Sequence, residues 1–215
     1  MDKQNKIDAV LESGVVAVLR GTQADKMVKI AQALLAGGVK ALEITLDNPA
    51  ALDIIKELSV ELKDTEAIVG AGTVLDGETA RAAILAGSEF VFCPTLNQEV
   101  IKVCNRYGKV VIPGVLTPTE MISAYEAGAD LVKVFPAGVM GAKYIKSVKG
   151  PLSHIPIITT GGINLDNAAD FIKAGATAIG AGGSLIDKEA IDQENYQVLT
   201  QKAKEFVKVV QEAKN

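Results

Sequence analysis

The chain has 215 residues, 48% of them hydrophobic, with 22 Lys+Arg against 26 Asp+Glu for a formal net charge of −4. That is ordinary globular composition for one core-forming domain spanning 1–215, because chains usually divide only beyond about 250–300 residues. With no Lys/Arg run, four Tyr, five Phe and no Trp, the chain offers neither a phosphate-tracking stripe nor a base-stacking platform, so nucleic acid is not an expected partner.

The opening segment MDKQNKIDAVLESG lacks the basic start and apolar run of a secretory signal, and reads as a short helix before the first strand. No later run approaches the ~18 apolar residues of a membrane span, so no membrane is expected and the location reads as cytoplasmic. VVAVL at 15–19 is the first strand candidate, and QADKMVKIAQALLA at 23–36 carries a helical stripe through Met27, Ile30, Ala31, Leu34 and Leu35. A phrase then recurs: AGGVKALEI at 36–44, AGSEFVF at 86–92, AGADLVKVF at 127–135 and AGATAIGAG at 174–182. Each reads as a helix stopped by a left-handed Gly, followed by a strand buried on both faces.

AIVGAG at 67–72, VVIPGV at 110–115 and IPIITT at 155–160 fill the gaps, giving eight strand candidates spaced by 20–26 residues. Helices fall between them, including 97–107 with Asn97 as N-cap, 166–174 from Asp166, and a last one at 194–213. Even alternation of strand and helix predicts an α/β fold, a single (β/α)8 barrel with a short N-terminal helix before strand one. An open doubly wound sheet is the other arrangement of such units, but no Gly-x-Gly-x-x-Gly follows strand one.

Function in such barrels gathers where strands end. Two charges there stand inside strands: Glu43 in ALEIT, sharing a face with Ala41 and Thr45, and Lys133 in LVKVF, sharing one with Leu131 and Phe135. The second and sixth strands contribute to the same interior layer, so the two side chains can meet. The plain structural alternative is a buried ion pair, or a Lys133 that snorkels outward. A lysine desolvated among apolar neighbours is expected to titrate lower and so supply a free amine for Schiff-base formation on a ketone, with the carboxyl moving protons.

After strands seven and eight come Thr160-Gly161-Gly162 and Gly182-Gly183-Ser184, two adjacent loops of the kind that binds phosphate through backbone N–H groups. The implied ligand is a small molecule with a phosphate at one end and a ketone near Lys133 at the other. His154, the single histidine, precedes strand seven at the opposite end of the barrel, so a His-centred metal site or triad has little to be built from and no metal or cofactor is expected. Cys93 and Cys104 read as buried thiols.

The segments VAVLR (16–20), AGGVKALEITL (36–46), IVGAGTVL (68–75), CPTLN (93–97), IPGVLTPTE (112–120), VKVFPA (132–137), TGGINLDN (160–167) and GAGGSL (180–185) together resemble the 2-keto-3-deoxy-6-phosphogluconate aldolases, also called 4-hydroxy-2-oxoglutarate aldolases. The resemblance implies a metal-free class I aldolase on a (β/α)8 barrel, usually a homotrimer, with Lys133 as the Schiff-base lysine and Glu43 as general acid/base. Thr73, Pro94, Phe135 and Thr160 would line the pyruvate end, and Gly161, Gly162, Gly183 and Ser184 would hold phosphate. Many members place Arg just after the second strand's Thr-Leu, where this chain has Asp47. Arg20 is then expected to take the substrate carboxylate in a bidentate fork. Galactonate-derived relatives carry Asn-Ser-Pro near that place, which leaves the C4 stereochemistry open. Rival readings are another phosphate-binding barrel enzyme such as an isomerase, a silent sugar-phosphate sensor, or a metal-dependent aldolase.

Overall fold

β-Branched and small apolar residues suit a strand covered on both sides. The computed structural model of the chain, which describes residues 2–21 and 23–215, turns each apolar block into a parallel strand. The strands are β1 (Val15–Leu19), β2 (Ala41–Thr45), β3 (Ile68–Gly72), β4 (Phe90–Phe92), β5 (Val110–Ile112), β6 (Gly114–Val115), β7 (Val132–Val134), β8 (Ile157–Thr160) and β9 (Ala178–Ala181). They pair in the order β5-β4-β3-β2-β1-β9-β8-β7-β6. The two ends of that order, β5 and β6, are separated in the chain by Pro113 alone.

The result is a nearly closed parallel barrel of nine strands, where the spacing predicted eight. Pro113 accounts for the difference. Having no N–H, it cannot donate to a ladder, so VVIPGV breaks in two: Val110 lies opposite Phe90 of β4, and Gly114 opposite Lys133 of β7. The Pro113 carbonyl still accepts from Lys133 N at 2.8 Å, which fastens the break to β7.

The helices are α1 (Lys3–Ser13), α2 (Met27–Ala36), α3 (Ala51–Glu61), α4 (Gly77–Ala86), α5 (Gln98–Arg106), α6 (Pro118–Glu126), α7 (Ala137–Met140), α8 (Ala142–Lys149), α9 (Ala168–Lys173), α10 (Lys188–Asp192) and α11 (Tyr196–Lys214). Among the described residues, no helix is long and apolar enough to cross a membrane. Asn97 caps α5 as expected, its side chain accepting from the N–H groups of Glu99 and Val100. Two starts shift. A short 3-10 turn, Ala24–Lys26, precedes α2. Before α9, Asn164 Oδ1 accepts from Asp166 N and Asn167 N while Asn167 Oδ1 accepts from Asn164 N. Those side-chain bonds compete with helix and delay it beyond Asp166.

The recurrent Ala-Gly phrases end their helices as expected, with one variation. Gly87, Gly128 and Gly175 take positive φ, whereas in the first copy Gly37 has φ −87° and Gly38 takes φ 91°. After each stop an N–H returns to the carbonyl five residues earlier, as in Val39 to Leu34 (3.1 Å) and Ala176 to Phe171 (3.0 Å).

Alternation along the strands sorts side chains into two layers. One lies between sheet and helices; the other, inside the barrel, joins Val16, Ala41, Ile68, Phe90, Phe92, Val110, Ile112, Leu131, Ile158 and Ala178 to Ala9 and Val10 of α1. Helix α1 therefore stops the N-terminal end of the barrel with apolar side chains, each fully buried Val or Phe of this layer contributing about 1.5–3 kcal/mol. Lys3 pairs with Asp130 at 3.0 Å, and Lys6 and Lys109 both pair with Glu89 around that rim. With this end stopped by α1, the inside of the barrel opens into a cavity at the C-terminal ends of the strands.

Candidate active site

Period two places Glu43 and Lys133 inside the barrel, above the apolar layer. Glu43 stands between Val18 of β1 and Gly70 of β3, and Lys133 between Gly114 of β6 and Ile158 of β8. Lys133 Nζ lies 3.8 Å from Glu43 Oε1, with the side chains 8% and 1% exposed. The rings of Phe92 and Phe135 flank the ammonium at 5.1 and 5.4 Å. Glu43 Oε2 has no hydrogen-bond partner among the described residues. Burial pushes the Glu43 carboxyl above its ordinary value of 4.5, and the charges of Lys133 and Arg20 pull it only part of the way back.

Glycines make room for this pair. A Cβ on Gly72 would collide with Glu43 Oε1, and one on Gly70 with the Phe90 ring. Neither glycine was singled out as a site residue from sequence, although glycines two apart in a strand signal a close approach on one face.

Above the pair opens a cavity of about 390 Å³. It is lined by Arg20, Lys133, Phe135, Thr160, Gly161, Gly162, Gly182, Gly183 and Ser184, all expected from sequence, and also by Val18, Ile163, Asn164 and Gly180. Glu43 lies beneath it against Lys133. Thr73 is tied to it through Arg20. Pro94 is not among the lining residues; its carbonyl group packs where a Cβ on Gly114 would stand, beside the break between β5 and β6. Thr160 Oγ1 is buried with no hydrogen-bond partner among the described residues, an acceptor and donor left for a ligand.

The two glycine loops converge on one wall. Gly161 and Gly162 both have left-handed φ, 84° and 78°. Gly161 O accepts from Gly138 N of α7 at 2.7 Å, and Gly162 O accepts from Asn167 Nδ2 at 2.9 Å. The Ser184 hydroxyl donates to Ile163 O at 2.7 Å and so joins the loops. Beyond β9, Leu185 N and Ile186 N both donate to Gly182 O at 2.9 Å, which curls the chain into a tight turn. No hydrogen bond from the Gly183 or Ser184 amide is found among the described residues. Such free amides in a turn form an anion cradle.

Arg20 behaves differently from its expected fork. Its Nη1 donates to Asp47 Oδ2 at 2.9 Å and its Nη2 to Thr73 Oγ1 at 3.0 Å, so both arms already have partners. Thr73 has φ 58°, a left-handed conformation that costs a β-branched residue about 1–3 kcal/mol.

His154 is exposed and meets Tyr125 edge-on at 5.2 Å, away from the cavity. Cys93 and Cys104 are buried free thiols, both pushed up to about 12 by burial, in Cys93 against the pull of nearby Lys133. The site thus combines an amine, a carboxyl whose pKa burial raises, an arginine and the backbone amides of two glycine loops around one cavity.

A family model described as KDPG and KHG aldolase matches residues 7–202. The chain is 34% identical to the 2-dehydro-3-deoxy-6-phosphogalactonate aldolase of Escherichia coli, covering 93% of this chain and 95% of that one. It is 33% identical to the KHG/KDPG aldolase of the same organism, with 93% and 94% covered. Among solved structures, the KDPG aldolase of Legionella pneumophila, captured with pyruvate as a covalent carbinolamine, superposes with a TM-score of 0.82 at 25% identity, covering 91% of this chain and 96% of that one.

Proposed function

We propose that this chain, which belongs to the KDPG and KHG aldolase family, cleaves 2-keto-3-deoxy-6-phosphogluconate to pyruvate and glyceraldehyde 3-phosphate through a Schiff base on Lys133. It also cleaves 4-hydroxy-2-oxoglutarate to pyruvate and glyoxylate. The observation that carries this reading is the buried Lys133–Glu43 pair, 3.8 Å apart at the floor of a cavity whose far wall is the Gly161–Gly162 and Gly183–Ser184 loops.

The free amine of Lys133 adds to the C2 ketone to give a carbinolamine. Glu43, kept above the ordinary carboxyl range by burial, gives a proton to the departing hydroxyl, which leaves as water, and the iminium forms. The Glu43 carboxylate then takes the proton of the C4 hydroxyl. The C4 oxygen becomes the aldehyde carbonyl as the C3–C4 bond breaks, and the bonding electrons pass into the iminium to leave an enamine. Glu43 returns the proton to C3, and water hydrolyses the resulting iminium to release pyruvate and the amine.

Arg20 receives the C1 carboxylate, with Phe135 and Thr160 around the pyruvate end, Thr73 behind the guanidinium and Pro94 set back beside Gly114. The Gly161, Gly162, Gly183 and Ser184 amides hold the phosphate, and this remote anchoring orients C3 and C4 over the lysine. A homotrimer of barrels, each one domain over 1–215, working in the cytoplasm, belongs to the same proposal.

The galactonate relative supports a second reading, in which the preferred substrate is the C4 epimer. Pyruvate release from the two phosphorylated epimers and from 4-hydroxy-2-oxoglutarate decides. Turnover of the gluconate-derived acid is expected. Release from the galactonate-derived epimer alone selects the second reading, and release from none contradicts the aldolase reading.

A further inference from the structure

Three neighbouring strands end in side chains that meet over the cavity. Arg20 follows β1, Asp47 lies two residues beyond β2, and Thr73 follows β3. The guanidinium bridges the other two, 2.9 Å to Asp47 Oδ2 and 3.0 Å to Thr73 Oγ1. Asp47 is held on a fixed turn: Leu46 N donates to Gly72 O at 2.9 Å and Asn48 N to Thr45 O at 3.3 Å. Thr73 keeps φ at 58°, and its hydroxyl meets the guanidinium.

The ion pair is open to water, with Arg20 and Asp47 side chains 59% and 43% exposed. Solvent and salt screen such a contact, so it adds little to the stability of the fold. Its consequence is geometric. An arginine on an open rim samples many rotamers, and a ligand that needs one of them must freeze it on binding. Two anchors on two different strands freeze it beforehand, and leave Nε–H and one N–H on each terminal nitrogen for a ligand.

We propose that Asp47 is a positioning residue that holds Arg20 across the cavity mouth in the pose that receives the keto acid's carboxylate. The inference rests on the aldolase reading of the same site. Asp47 does not line the cavity that holds Lys133, and its charge is the smallest of the influences on Glu43, so its removal is expected to weaken binding far more than it alters the chemical step.

The test is steady-state cleavage of the phosphorylated keto acid by the unaltered chain, Asp47→Asn, Asp47→Glu, Arg20→Ala and the Arg20→Ala/Asp47→Asn double variant. Asp47→Asn is expected to raise KM about fivefold or more with kcat within about twofold. Asp47→Glu restores most of that loss. In the Arg20→Ala background, Asp47→Asn adds nothing further, the mark of two residues acting as one unit. An unchanged or lowered KM in Asp47→Asn, or a full additional loss on top of Arg20→Ala, overturns the inference alone. Absence of cleavage by the unaltered chain overturns the aldolase reading and this inference with it.

Discussion

Glu43 is a carboxyl whose one close cationic partner, Lys133, lies 3.8 Å away and whose second oxygen has no partner among the described residues. Burial raises its pKa above 4.5, so the folded chain binds this proton more tightly than the unfolded chain does. Its contribution to stability is therefore complete below pH 4.5 and is lost as pH rises through the raised value, which means that the ionised group costs the fold something at neutral pH. In the proposed mechanism the carboxylate accepts the C4 hydroxyl proton, so kcat/KM is expected to fall with acidity through a pKa above 4.5, and Glu43→Gln to remove that limb and lower kcat by roughly 10²–10⁴-fold. A pyruvate-release profile over pH checks both; an acid limb that persists unchanged in Glu43→Gln assigns it to another group. Both charges of the pair were legible in the sequence, because a charge at period two inside an apolar strand has nowhere ordinary to go. Gly72 was not, because the leaning of Glu43 toward it appears only once β2 and β3 are in register. The partners of Arg20 were hidden for the same reason: Asp47 and Thr73 are distant in sequence and adjacent only where strands end.

Elements were read well where local chemistry decides them. The Ala-Gly stops, the Asn97 cap and the helical stripe of α2 all follow from residues within a few turns of each other. Strand five was counted as one because its apolar run is continuous, yet the missing N–H of Pro113 divides its pairing between β4 and β7. In the first Ala-Gly copy the glycine nearest the helix is kept for packing rather than for its turn. Gly37 has φ −87°, which alanine tolerates, but a Cβ there would collide with Ala203 of α11 and stand 2.7 Å from Thr200 O. Gly37→Ala must push α2 and α11 apart, an overpacking that costs about 1–3 kcal/mol. Urea unfolding is expected to show that loss; an unchanged midpoint would mean the two helices separate freely and do not share a tight interface.

The molecule divides its labour between the two ends of one barrel. At the N-terminal end α1 supplies Ala9 and Val10 to the inner apolar layer, and the lysines Lys3 and Lys6 pin it to Asp130 and Glu89. At the other end the inner layer gives way to Glu43 and Lys133, and the loops after β8 and β9 bring their glycine amides to the rim. Alternation of strand and helix made this plan readable from spacing, since a parallel barrel puts every strand's C-terminal end on one face. The most direct test of a Schiff-base lysine at the centre of that face is borohydride reduction in the presence of pyruvate, followed by peptide mapping. A reduced pyruvate adduct confined to the Lys133 peptide, and absent from Lys133→Ala, is the predicted result. No adduct on any lysine, or one placed on a lysine outside the barrel, would contradict the account and return Lys133 and Glu43 to the role of a structural ion pair.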